Sequence, residues 1–142
     1  MAAVAWGMLV WVAVAQAVPQ IDLHDLTAAP SRYQGKMVQV RGTFWVLAES
    51  AHLCSDRLDP DDPAGCQAVM PDKGPGISKK DWERVLEAAR LAATGNYRVW
   101  LTVLGRFEAA DPPRWGAYAG YGFRIQIEKV VRVETKKRVR KR

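Results

Sequence analysis

The pattern Val38-x-Val40-x-Gly42-x-Phe44 returns as Leu101-x-Val103-x-Gly105-x-Phe107, and this echo constrains the fold more than any other feature. Alternation of apolar and polar residues is the period-two signature of a strand with one buried face. In the first copy, Val38, Val40, Phe44 and Val46 face one way, while Gln39, Arg41 and Thr43 face the other. A glycine on the buried face marks a bend, or a place where another backbone comes close. Two strands with matching inward glycines are expected to be neighbours in a coiled sheet that closes around one small barrel.

The other elements fit around that pair. A last strand is expected from Tyr121 to about Glu134, with Phe123, Ile125, Ile127, Val131 and Val133 on one face. Shorter strands are expected at Ala51–Ser55 and Gln67–Met70. Lys73-Gly74-Pro75-Gly76 reads as a linker into a helix that Ser78 caps and Gly95-Asn96 stops. Trp82, Val85, Leu86 and Ala89 would form its core-facing stripe. Ahead of the first long strand, Ile21 to Ala29 has a short helical pattern ended by Pro30, and Tyr33-Gln34-Gly35-Lys36 makes a turn. Three strands, a helix and two strands predict a mainly β fold. The architecture expected is an OB-fold-like five-stranded Greek-key barrel with its helix between strands 3 and 4.

Leu26, Pro30, Tyr33, Gly35-Lys36, Val38, Val40 and Gly42 read together as Leu-x3-Pro-x2-Tyr-x-Gly-Lys-x-Val-x-Val-x-Gly. This opening resembles that of small exported bacterial OB-fold-like proteins of unassigned function, and Val103-Leu104-Gly105-Arg106-Phe107-Glu108 fits the same pattern. The resemblance implies a fold and an envelope location, and it carries over no catalytic residues.

Residues 1–17 carry no charged side chain and close on Ala15-Gln16-Ala17, a small-x-small cleavage pattern. The expectation is a cleaved signal peptide, an OB-fold-like domain over residues 18–135 and a basic tail over 136–142. A retained membrane anchor is the competing reading, but the apolar run stops at Pro19, short of the roughly 20 residues that span a bilayer. Against a well-formed signal, no Lys or Arg precedes the apolar run, so only the amino terminus supplies positive charge; no Cys follows the cleavage pattern to carry a lipid. The chain is therefore expected to be exported, either periplasmic or secreted.

The formal charge of +6 is concentrated at one end. Lys136, Lys137, Arg138, Arg140, Lys141 and Arg142 are six of the 21 basic residues, which leaves 15 against 15 acidic ones elsewhere. A basic groove across the domain is not indicated. The tail could attract an anionic membrane surface, at about 1 kcal/mol per basic residue before screening, or it could be a solvated end.

Cys54 and Cys66 are the two cysteines. In an oxidising compartment such a pair is expected to form a disulfide, restraining the unfolded chain by about 3 kcal/mol. Zinc would need more ligands than His24 and His52 offer, so no metal and no cofactor are expected. Asp59, Asp61 and Asp62, with Pro60 and Pro63, read as a turn in preference to a weak calcium site. Ser55 and His52 read as sharing a strand face without an orienting acid, so nucleophilic catalysis is not expected.

The connection from Ala109 to Gly120 is the site candidate, with Arg114, Trp115 and Tyr118 inside it, Tyr121 and Phe123 just beyond, and Trp45 assigned to the same face. In OB-folds this connection borders the ligand face, where exposed aromatics stack on bases or sugars. Trp115 and Tyr118 could instead cover an open end of the barrel. The function expected is a non-enzymatic binding module that acts on an envelope component or partner protein. The alternative is a single-stranded nucleic-acid binder that uses the tail, a partner less accessible to an exported chain.

Overall fold

The computed structural model describes residues 18–48, 50–62, 65–116 and 119–139. Its elements are α1 (Leu23–Ala28), α2 (Pro30–Tyr33), β1 (Met37–Leu47), β2 (Ser50–Ser55), β3 (Met70–Lys73), α3 (Lys79–Ala93), β4 (Tyr97–Ala109) and β5 (Phe123–Lys137). The signal-peptide reading and tail residues Arg140, Lys141 and Arg142 fall outside the described residues.

The strands form one sheet in the order β2-β1-β4-β5-β3. All pairings are antiparallel except β3 with β5. Leu53 of β2 and Val69, just before β3, exchange backbone hydrogen bonds of 2.8 and 3.1 Å, so the two edges meet and the ring nearly closes. This is the expected OB-fold-like barrel, with α3 between β3 and β4.

The echoed strands are neighbours, with Val38 opposite Gly105 and Gly42 opposite Leu101. Both glycines are sites of close approach. A Cβ on Gly105 would collide with the Gln126 carbonyl oxygen, and one on Gly42 would come within 2.8 Å of the Cys54 carbonyl oxygen. Inside the ring, Val38, Val40, Phe44, Leu53, Val99, Leu101, Val103, Phe107, Ile125 and Ile127 are almost completely buried, joined by Leu23 and Leu26 from α1 and Val85 and Ala88 from α3.

Several expectations are corrected. Val131 is 43% exposed, and Val130 takes the core position instead. The β4–β5 register slips twice, between Thr102 and Val103 and between Leu104 and Gly105, leaving Val131 and Glu128 as the extra residues of β5. Each bulge flips the side-chain alternation. Leu86 is 53% exposed while Ala88 is buried, because the inward stripe of α3 runs through Val85 and Ala88. The third strand starts at Met70, not Gln67, and Pro30 does not end the helical region but opens α2 at its first turn. Lys136 and Lys137 are not tail: they are the end of β5, paired with Arg98 and Tyr97, and the Arg138 backbone N–H donates to Asn96. Ordered structure thus passes the expected domain end at 135.

The bulge at Val131 is stapled to α3. The Val130 N–H donates to Asp81 Oδ2 at 3.0 Å, and Arg84 donates to the Val130 carbonyl at 3.1 Å. Asp81 also receives its own backbone cap from Ser78. Replacing Asp81 with Ala strands the bulge N–H, and the expected cost is about 2 kcal/mol. Chemical denaturation of the variant checks this, and Ser78→Ala should cost about half as much.

Candidate functional site

An open cleft of about 950 Å³ lies along one flank of the barrel. Pro30, Ser31 and Gln34 form one wall, Cys66, Gln67 and Ala68 another, and the β4–β5 connection (Ala109, Ala110, Asp111, Pro113, and Gly120 to Phe123) the third.

Local chemistry holds each wall. The turn after α2 docks on β4 through Gly35 N–H to the Phe107 carbonyl (2.8 Å) and Phe107 N–H to the Lys36 carbonyl (3.0 Å). Gln34 Oε1 accepts from the Ala109 N–H at 2.8 Å, tying the first wall to the third. The connection continues the β4–β5 ladder: Ala110 N–H donates to Gly122, and Trp115 and Tyr121 exchange backbone bonds. Gly116 turns the chain back at a φ of 79°, with the Tyr121 ring packed against its Cα, where any side chain would clash. The third wall ends on Phe123, whose ring stacks on buried Phe107 at 6.1 Å between centroids.

The second wall is set by the Cys54–Cys66 disulfide, which joins β2 to the start of segment 66–68. The loop between the cysteines is also tied to β4 by an ion pair of Asp61 with Arg98. Asp61 therefore faces a guanidinium, which supports the turn reading of the acidic loop.

Of the residues expected at the ligand face, Tyr121 lines the cleft. Trp115 is only 9% exposed, and its ring lies under the Arg124 guanidinium at 4.8 Å. Arg124 is itself paired with Asp72 at 3.2 Å and Glu108 at 2.8 Å. Trp115 thus acts as a cover over the barrel wall. Arg114 is exposed, 6.0 Å from the Trp115 ring and outside the cleft lining. Trp45 is not on the face of the cleft: it borders a separate small recess with Tyr97 and Arg138, whose guanidinium sits 5.9 Å from its ring. Tyr118 lies outside the described residues. β1 ends at Leu47 and β2 starts at Ser50, leaving two residues to connect them and no second loop wall of any length.

Sequence reasoning missed Pro30, Ser31 and Gln34 as lining, whereas Phe123, expected just beyond the connection, lines the cleft. A four-residue helix carries no periodic signal, so residues 30–34 read only as a stop and a turn.

His52 and Ser55 do not share a face, being three residues apart on a strand whose side chains alternate. Ser55 Oγ donates to the Asp22 carboxylate at 3.1 and 3.2 Å, whereas His52 Nδ1 lies 3.0 Å from the Tyr121 hydroxyl. His52 instead shares its face with Cys54, and His52, Cys54 and Cys66 each bring one ligand atom within 4.8 Å of the others.

Burial pushes the His52 imidazole below its ordinary value of 6.5. The folded protein then binds this proton less readily than the unfolded chain does. Stability from His52 is full above pH 6.5 and falls as the pH drops through 6.5 towards the lower folded value. The melting temperature of wild type should therefore drop between pH 7 and pH 5 more steeply than that of His52→Gln.

On the opposite side of β1, Arg41 binds Glu134 (3.1 and 3.3 Å) and Asp56 (2.8 Å) and lies 5.6 Å from the Trp100 ring. The hydrogen bond from Arg41 holds the Glu134 carboxyl below the usual carboxylate range. This cluster is satisfied internally and ties β1, β5 and the start of the disulfide loop together.

Among the described residues no helix is long and apolar enough to cross a membrane, and the disulfide fits an oxidising environment. The chain matches no protein-family model, no curated protein and no solved structure.

Proposed function

We propose that this protein is an exported, non-enzymatic binding module of the cell envelope that holds an uncharged segment of an envelope component or partner protein in the flank cleft. The carrying observation is the cleft itself. Its volume of about 950 Å³ lies in the range of natural ligand sites, which pair an apolar lining with a few placed polar groups. Tyr121 and Phe123 supply aromatic faces, the alanines and prolines supply shape, and Ser31, Gln34 and Gln67 supply neutral hydrogen-bonding groups. Such a lining selects by contact and hydrogen bonding, with Asp111 the one charged member among the described residues.

The apolar opening with Ala15-Gln16-Ala17 supports export, as does the disulfide, and the resemblance of the Leu26–Gly42 motif to small exported bacterial proteins agrees with both. The basic end of the chain, which includes exposed Lys136 and Lys137, adds attraction to an anionic membrane surface.

Amide shifts of the isotope-labelled, oxidised protein test this reading. Peptidoglycan fragments or envelope peptides should move signals near Gln34, Ala109 and Phe123, and Ala110→Trp should abolish the response. Anionic vesicles should perturb only the chain end. An oligothymidine that still binds in high salt, after removal of residues 139–142, would replace this reading with the single-stranded nucleic-acid one.

A further inference from the structure

We infer that, once the Cys54–Cys66 bond is reduced, His52, Cys54 and Cys66 form a Zn²⁺ site with its fourth position open to the cleft. The inference does not depend on what the cleft binds.

The geometry comes first. His52 and Cys54 are alternate residues of β2 and project from one face, a preset chelating pair. Cys66 is brought to them from the far end of the loop, and all three ligand atoms lie within 4.8 Å of one another. On reduction the two bonded sulfurs must part; two thiolates bound to one zinc at about 2.3 Å each lie less than about 4.6 Å apart, a separation that Cα atoms 5.4 Å apart allow by rotation about the Cα–Cβ bonds. Cys54 is buried in the strand, whereas Cys66 is half-buried in a segment outside the strands, so the movement falls on the Cys66 side.

The surroundings match a metal site in a second way. A ligating histidine almost always has its other ring nitrogen held by a partner that fixes the tautomer. His52 Nδ1 lies 3.0 Å from the Tyr121 hydroxyl, so the inference assigns the metal to Nε2. Tyr121 and Cys66 both line the cleft, so solvent or a cleft ligand completes the tetrahedron. Two cysteines, one histidine and an open position make a donor set that zinc takes in sites able to bind a further group.

The chemistry balances. A dithiol reductant supplies two electrons and two protons, the Cys54–Cys66 bond breaks, two thiols form, and the reductant closes its own disulfide. Zn²⁺ then displaces one proton from each thiol and takes the neutral imidazole as third ligand. A small-molecule disulfide reverses this: it takes the two electrons and, with two protons, becomes two thiols, while the Cys54–Cys66 bond re-forms and Zn²⁺ leaves, so binding is gated by redox state.

The test titrates Co²⁺ into the full chain, oxidised and reduced, followed by thiolate-to-cobalt charge-transfer absorption and by competition with Zn²⁺. The reduced protein should bind one ion with this band, and the oxidised protein should show none. Tyr121→Phe should weaken binding about tenfold to a hundredfold, His52→Ala should weaken it more, and Cys66→Ser should remove the band. Equal Co²⁺ affinity in wild type and His52→Ala overturns the inference. So does a reduced, folded protein without the band, or a reduced chain that unfolds and is not refolded by metal.

Discussion

Gly105→Val is expected to lower stability by about 3 kcal/mol and the melting temperature by roughly 10 °C. The reason is the backbone of β5. A side chain at this position would run into the Gln126 carbonyl oxygen and the Ile125 Cγ1 atom, the latter at 2.8 Å. Ile125 and Gln126 pair with Phe107 and Arg106 in the β4–β5 ladder, so they cannot recede without breaking the hydrogen bonds that hold the two longest strands together. Gly42 offers a contrast. Its nearest neighbour is Leu23 Cδ1 at 2.6 Å, the end of a side chain that can turn, and the backbone atom it meets, the Cys54 carbonyl oxygen at 2.8 Å, stands farther off than the Gln126 oxygen does at Gly105, so Gly42→Ala should cost less than Gly105→Ala. Calorimetry on the three variants decides the point, and a wild-type melting temperature for Gly105→Val would refute the close-packed barrel described above.

Truncating Phe107 should have an effect of the same order or larger. Its side chain is fully buried, and Phe-to-Ala changes in cores cost about 3–5 kcal/mol through lost burial and the cavity left behind. The main-chain bonds of Phe107 to Gly35 and Lys36 do not involve the ring, so the turn after α2 stays docked. Phe123, however, loses the ring on which it stacks, and Phe123 lines the cleft. The expected result is a lower urea midpoint with an unchanged slope. At temperatures where the variant is still folded, binding in the cleft should also be weaker. Phe107→Leu, which refills most of the volume, should recover most of the stability but less of the binding.

The barrel was legible because its signals are local and repeated. Alternation placed β1 and β4, the shared inward glycine made them partners, and the cap at Ser78 with the stop at Gly95 bounded α3. The disulfide was legible from the cysteine count and the export expected from the opening segment. The misreadings have one kind of cause. Val131 alternates correctly with Val133 on paper, but a bulge shifts the phase of β5 between them and the upper part of the strand. Leu86 has helical spacing to Trp82, but the rotation of α3 against the sheet selects Val85 and Ala88. Lys136 and Lys137 read as tail by charge, but β4 offers them backbone partners.

The site was less legible, for a related reason. Trp45, Arg114 and Trp115 are residue types found at ligand faces, but residue type does not tell whether a ring meets solvent or a guanidinium. The structure sets Trp115 beneath Arg124 and Trp45 beside Arg138. His52 was passed over because its partners, Tyr121 and Cys66, are distant in the chain.

Composition, periodicity and caps therefore determined by themselves that this chain makes a small, coiled, five-stranded barrel with one helix and one cross-link, because each of those signals acts over a few neighbouring residues. The cleft, the covered tryptophan and the histidine beside the sulfurs were decided by tertiary structure alone. They depend on how a closing sheet sets the phase of each strand and brings three separate connections against one flank, and no local pattern encodes that distance.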